Sequence, residues 1–368
     1  MAVFVLTIAV ACGGKASTTP GSNSTKAPPG PGPAVSRPSP TGDPRTVRLG
    51  FSTLPPRQTS DAYIGAFATA AQYADVILIQ RTPPWEEFLP GGSVSQQTAD
   101  NTRIETQLLD QYPNLKRYYA IDPTDGVVQR SRIANLPQSV DPQAGFLDPG
   151  IREAFLAYTT YVAKNYHPDY LALGVEINML YERSPRQFDA FVSLYKEAYD
   201  VAKAASPRTK IFPTIQLEDL EGTFGTIHPP HWEVLDAFRG KMDALGISTY
   251  PFLAQLRSAS DIRPDYYSQL KQHWDGEVFI AETGYASAPV EGQVNVGTEE
   301  DQQAYLARIL DEAERDGFSM VIWFAALDPE FAQSGAASVF KDIGLRKSDG
   351  SNKLAWTTWE DWSRRPLK

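Results

Sequence analysis

Two short apolar runs each stop at a carboxylate, and those two carboxylates are the residues best able to do chemistry. In 278–282, Val-Phe-Ile-Ala-Glu, the run stops at Glu282 and continues as Thr283-Gly284-Tyr285. In 170–176, Tyr-Leu-Ala-Leu-Gly-Val-Glu, it stops at Glu176, followed by Ile177 and Asn178. Both runs are too short for helices and read as strands buried on both faces. An unpaired carboxylate in such a place is costly, so each is either ion-paired with Arg or Lys or put to use. A pair of carboxyl groups ~5–5.5 Å apart suits retaining glycoside hydrolysis, in which one attacks the anomeric carbon. The other protonates the leaving oxygen and then activates water. That acid needs a raised pKa, which a neighbouring negative charge in a partly dry site supplies.

Whether the two can meet depends on the elements that carry them. Strand patterns at 47–51, 75–80, 116–121, 170–176, 210–216, 244–248, 278–282 and 320–324 alternate with helical ones. The helices are expected at 61–73, 97–111, 149–165, from Ser184, near 231–238, at 264–274, from Thr298 and near 357–363. Ser184 reads as an N-cap with Pro185 in the first turn, and Glu299, Glu300 and Asp301 suit the start of the helix at Thr298. Strict alternation of eight strands and eight helices predicts the α/β class and a single (β/α)8 TIM barrel over 45–368. A doubly wound open sheet would carry a Gly-rich phosphate turn after an early strand, and there is none. Active sites of such barrels lie at the C-terminal strand ends, so Glu176 on the fourth strand and Glu282 on the seventh would share one mouth.

The motifs carry a resemblance. The chain resembles the clan of retaining (β/α)8 glycoside hydrolases whose acid/base follows strand four and whose nucleophile follows strand seven. Gly174-Val175-Glu176-Ile177-Asn178 is similar to the Gly-Asn-Glu-Ile-Asn motif of the endo-β-1,4-galactanase family. Glu282-Thr283-Gly284-Tyr285 is similar to that family's nucleophile motif, and 246–252, Gly-Ile-Ser-Thr-Tyr-Pro-Phe, to its strand-six segment. The resemblance implies that Glu176 is the acid/base, that Glu282 is the nucleophile and that Asn178 belongs to the substrate site. One departure stands beside Glu176: the family's Asn, which binds the sugar's 2-hydroxyl, is Val175 here. A Val cannot make that bond, and Gln216 at the end of strand five is the candidate replacement. A carbohydrate-binding barrel without catalytic activity is the alternative.

Further residues fall at the same rim. The Tyr250 hydroxyl is placed to hold the Glu282 carboxylate, and Trp323 to form a floor for a sugar's C–H face. Trp85, Tyr181, Phe252 and Tyr285 follow strand ends and could line subsites, or pack in the core. Asp122 reads as a turn residue before Pro123. Arg81 could pair with Glu282, touch a sugar hydroxyl, or form a rim salt bridge. His228 and His231 flank Pro229-Pro230, which break helical spacing, and no nearby carboxylate pattern completes a ligand set, so no metal and no cofactor are expected. Lys116 and Lys210 sit at strand starts, which disfavours a Schiff-base aldolase.

The 368 residues carry a formal net charge of −10, which argues against a nucleic-acid partner and suits a neutral sugar. Cys12, the one cysteine, follows the apolar stretch 3–11 and looks like the lipidation site of a bacterial lipoprotein signal, Ala9-Val10-Ala11-Cys12. Ala9 stands where Leu is usual, and no Lys or Arg precedes the run. An ordinary secretory signal is the alternative. Residues 13–44, rich in Gly, Pro, Ser and Thr, read as a disordered tether. The expectation is an exported, monomeric, lipid-anchored protein on the outer side of a bacterial membrane, touching that membrane only through the anchor.

Overall fold

Alternation of apolar runs with amphipathic ones produces the expected ring. The computed structural model describes residues 32–126, 130–289, 296–333 and 335–368. Cys12 and most of the proposed tether lie outside them. The chain opens with β1 (Arg48–Ser52), α1 (Ser60–Tyr73), β2 (Val76–Arg81), α2 (Trp85–Phe88), α3 (Gln96–Gln111) and β3 (Lys116–Ile121). It continues through α4 (Pro149–Tyr166), β4 (Tyr170–Leu173), α5 (Met179–Arg183), α6 (Pro185–Ala205), β5 (Lys210–Phe212) and β6 (Thr214–Gln216). The last part holds α7 (Leu217–Leu220), β7 (Ala244–Thr249), α8 (Leu270–His273), β8 (Glu277–Thr283), α9 (Glu299–Arg315), β9 (Met320–Trp323) and α10 (Leu354–Arg364).

All the strands are parallel, in the order β5-β4-β3-β2-β1-β9-β8-β7-β6. The two ends of that order, β5 and β6, are halves of one strand separated only by Pro213. Proline has no N–H to give the ladder, so β5 pairs with β4 while β6 pairs with β7. The ring therefore closes through the chain itself, and the nine segments make the eight-stranded TIM barrel.

Aromatic rings fill the barrel. Tyr118, Tyr170, Phe212 and Phe279, from four strands, meet inside it with centroids 5.0–6.5 Å apart. Gly246 makes room for them, since a Cβ there would sit 3.0 Å from the Phe212 ring, and Gly50 makes room for Ile322, which a Cβ would approach to 2.2 Å. Outside the strands, α9 starts at a capping box of Thr298 and Asp301, as its acidic first turn suggests. Two details differ from expectation. Ser184 precedes α6, but its side chain makes no cap hydrogen bond. The helices expected at 231–238 and 264–274 are a 3-10 turn at Trp232–Phe238 and the single turn α8.

The tether is also shorter than its composition implies. From Gly32 onward the chain lies on the N-terminal end of the barrel. The Gly32 and Pro33 carbonyls accept from Gln111 and Tyr112, and Arg37 and the buried Arg45 both pair with Asp75. Among the described residues, no helix is long and apolar enough to cross a membrane.

Candidate active site

Strand parity determines which side chains enter the mouth. Along β7, Gly246 faces the ring interior, so Ser248 does too, and Ile247 and Thr249 face the helices. Along β8, Phe279 faces inward and Ile280 outward, so regular alternation would turn Glu282 outward. A bulge prevents this. Ile247 pairs with Ile280, but Ser248 pairs with Glu282, leaving Ala281 without an opposite number. Against β9 the same stretch sets three residues against two. The extra residue re-aims Glu282 into the mouth beside Ser248.

Glu176 arrives there by a different device. After β4 the backbone takes positive φ at Gly174 (107°) and at Glu176 itself (49°). The second is a conformation that L-residues seldom adopt, and strain of this kind is found at functional sites. A Cβ at Gly174 would also sit 2.8 Å from Phe191. The Glu176 N–H donates to Thr214 Oγ1 at 2.8 Å, which pins the turn to β6.

The two carboxyl groups are held by separate partners. Ser248, the register partner of Glu282, donates to Glu176 Oε1 at 2.5 Å, and Arg130 Nε donates to Glu176 Oε2 at 2.7 Å. Arg130 Nη1 donates to Asp122 at 2.6 Å, and Asp122 also accepts from Gln80 at 3.0 Å. Tyr250 donates its hydroxyl to Glu282 Oε1 at 2.5 Å. Both glutamates are buried. Burial, and then the charge of Glu176, push the Glu282 carboxyl up to about 8, against the opposing pull of the Tyr250 hydroxyl and Arg130. Burial likewise raises Asp122, opposed by Arg130. At neutral pH Glu282 thus keeps its proton, while Glu176 faces a guanidinium. Arg130 has one donor to spare, because its Nη2 is buried without a hydrogen-bond partner among the described residues.

Arg130, Glu176, Gln216 and Tyr250 line a pocket walled by Met179, Phe224, Leu253 and Phe340. Glu282 is not part of its lining. Its free volume is about 20 Å³, room for one water and not for a sugar ring. A sugar ring would fit there only if part of the apolar wall moved aside. A roomier cavity of about 460 Å³ lies elsewhere, among Arg81, Trp85, Glu105 and the tyrosines of α4, and reaches neither Glu176 nor Glu282.

Several expected substrate contacts are placed otherwise. Trp323 pairs with Thr283 and shares its outward face. It is wholly buried, donates its indole N–H to the Ile343 carbonyl at 2.8 Å and packs on Tyr305 of α9. The inward residue is Phe324, whose ring meets Phe340 of the pocket wall at 5.6 Å. We expect Trp323→Phe to cost ~1–3 kcal/mol in urea unfolding and to leave KM for any substrate unchanged; a large rise in KM would return Trp323 to the site. Trp85 is bonded to the Ala134 carbonyl and stacked on Phe155. Tyr285 is bonded to the Leu256 carbonyl and packed between Phe252 and Tyr305. Tyr181 meets Phe188 and His231 edge-on.

Asn178 works as a staple: its amide exchanges two hydrogen bonds with the Gln216 backbone and donates to Asp219. Gln216 lines the pocket, but its amide donates to Glu218 and accepts from the Asp219 N–H. Arg81 pairs with Glu105 and the Tyr63 hydroxyl, not with Glu282. Asp122, read as a turn residue, is an Arg130 partner. The residues that sequence reading passed over are Arg130, Ser248, Thr214 and Glu218. Glu218 is fully buried and accepts from Gln216, Thr249, Tyr266 and the Tyr250 N–H, fixing the rim that carries Tyr250. Only Ser248 had a visible signal, its inward parity with Gly246.

No family model matches the chain, and no curated protein does. Solved structures do. A GH5_18 protein from Streptomyces cattleya in complex with GlcNAc superposes with a TM-score of 0.64 at 15% identity, over 88% of this chain and 81% of its own. A GH5_18 protein from Bifidobacterium longum, in complex with Manβ1-4GlcNAc, gives 0.63 at 15% over 88% and 80%. The GH53 catalytic domain of Ignisphaera aggregans gives 0.53 at 16% over 81% and 87%. The fold of this chain is the parallel (β/α)8 barrel that these GH5 and GH53 glycoside hydrolase structures share.

Proposed function

We propose that the protein is a retaining glycoside hydrolase that cleaves a β-linked poly- or oligosaccharide at the Glu176–Glu282 pair. The observation that carries this is the pair itself: two buried carboxyl groups at one mouth, Glu176 held by Ser248 and Arg130, and Glu282 held by Tyr250 with its carboxyl pushed up to about 8. Double displacement needs one ionised and one protonated carboxyl group at the same moment. The β configuration rests on the motifs and on neighbours named for β-linked sugars, among them an exo-β-1,4-mannosidase and a β-glucosidase. The GH53 neighbour keeps a galactan-like substrate among the candidates. Arg130 Nη2 is the donor available for the sugar hydroxyl that Val175 cannot bind.

The resemblance makes Glu282 the nucleophile and Glu176 the acid/base, with Tyr250 donating to the nucleophile. A second assignment is favoured by the Arg130–Glu176 contact. It keeps Glu176 as the attacking anion and Glu282 as the acid, matching the proton's place in the free site. A 2-deoxy-2-fluoro β-glycoside, followed by peptide mapping, separates them. The label is expected on Glu282; label on Glu176 reverses the roles. No label and no turnover across a β-glycan panel would leave a sugar-binding barrel without catalytic activity.

Either assignment predicts the same alkaline limit. Because the pair acts with one proton and titrates as a unit, kcat/KM should fall as pH rises through about 8, where Glu282 loses its proton. A pH–rate profile checks this, and a flat profile to pH 10 contradicts it. Export with lipid on Cys12 remains part of the proposal, and radiolabelled palmitate incorporation that is lost in Cys12→Ala tests it.

A further inference from the structure

The sequence offered two histidines without a complete ligand set, and the fold brings a distant carboxylate to them. Glu182, on α5 after β4, lies with its Oε1 2.6 Å from His231 Nε2. The His228 ring lies 4.4 Å from the His231 ring, centre to centre. One ligand atom from each of Glu182, His228 and His231 falls within 4.8 Å of the others. The two remote ring nitrogens are already engaged. His231 Nδ1 lies 2.9 Å from a Glu233 oxygen, and His228 Nδ1 lies 2.7 Å from the Pro229 carbonyl. With the N–H at Nδ1 in both rings, each Nε2 is left as a lone pair. Metal-bound histidines are oriented in this way, by an acceptor on the far nitrogen. His231 Nε2 is buried and makes no hydrogen bond among the described residues, although a carboxylate oxygen faces it. Two facing lone pairs call for a cation between them, either a proton or a metal.

The backbone holds the histidines in place without help from the ligands. His231 N–H donates to the Leu220 carbonyl at 2.8 Å and His228 N–H to the Gly222 carbonyl at 3.3 Å. Gly222 has φ 69°, and a Cβ there would stand 1.9 Å from the His228 oxygen. The Glu182 side chain is exposed and free to adjust. Bonds of ~2.0–2.1 Å to a tetrahedral zinc ion place ligand atoms about 3.3 Å apart, between the 2.6 Å of the Glu182–His231 contact and the 4.8 Å that bounds the three atoms.

We infer that Glu182, His228 and His231 bind a divalent cation of the zinc class, tying the loop after β4 to the loop after β6 at the barrel rim. Two imidazoles and one carboxylate suit zinc better than calcium or magnesium, which favour all-oxygen sites. Water completes the fourth position. The site stands apart from the glutamate pair and does not depend on the hydrolase reading.

Titration of the metal-free full chain with zinc chloride at pH 7.5, followed by calorimetry, tests it. One ion per chain is expected, with affinity at least tenfold weaker in Glu182→Gln and in His228→Ala. Glu182→Gln alters an exposed side chain, so its folding is secure, and His167→Ala, on the opposite rim, should bind like the parent. Absence of saturable binding, or binding unchanged in both site variants, overturns the inference.

Discussion

Glu282→Gln should lower kcat/KM by on the order of 10⁴-fold, the upper range for a lost acid/base group, and loss of a nucleophile is no milder. The same substitution should stabilise the protein, and the sign depends on pH. Glu282 is held at about 8 in the folded chain, chiefly by burial and then by the Glu176 charge, against an ordinary value of 4.5. Below the ordinary value both folded and unfolded chains keep the proton, and nothing is lost. As pH rises from there toward 8, the unfolded chain ionises while the folded one does not, so stability falls. Gln keeps the shape and does not ionise. Thermal unfolding should therefore show little difference between Glu282→Gln and the parent at pH 4.5, and a higher Tm for the variant at pH 8. Equal Tm values at both pH values would mean that Glu282 is not held protonated. Sugar binding, measured by calorimetry with a substrate found in the β-glycan panel, should survive the change.

Arg130→Met should be the most destabilising single change at the mouth. Arg130 is buried and bridges Asp122 and Glu176. Removing it strands two buried carboxylates, and breaking a buried pair costs about 3–5 kcal/mol. Urea unfolding at pH 7 measures the loss, and the double variant Arg130→Met/Asp122→Asn should recover part of it because one stranded charge is gone. Activity should not recover in that double variant, since the guanidinium beside Glu176 and the spare Nη2 donor are still missing. Recovery of both would reduce Arg130 to a structural ion pair.

The barrel was legible because alternation is a property of whole segments and survives errors at single elements. The place of the two glutamates at strand ends was legible for the same reason. Which way side chains face at those ends was not. Ala281 reads as an ordinary strand residue, yet as the bulged residue it reverses the facing of Glu282. Trp323 drew a sugar-stacking role from its residue type, while its parity with Thr283 turned it toward α9. Arg130 belongs to a long loop with no periodic pattern to place it, so its contact with Glu176 exists only in three dimensions. The same holds for Glu182, far in sequence from the histidines it meets. Asn178 and Gln216 were drawn to substrate by motif and position, but buried amides must satisfy their own hydrogen bonds first, and theirs are made to each other and to α7.

The docking of 32–45 under the barrel has a bearing on where the proposed activity would take place. Those residues lie against the N-terminal strand ends, so the chain leaves on the side opposite the pocket. If lipid is attached at Cys12, the mouth opens away from the bilayer toward the medium. Residues 13–31 (19 of them) limit the standoff to about 60–70 Å at full extension. Polymers arriving from outside would meet the open face first, and fragments would be released near the surface of the cell that made the protein.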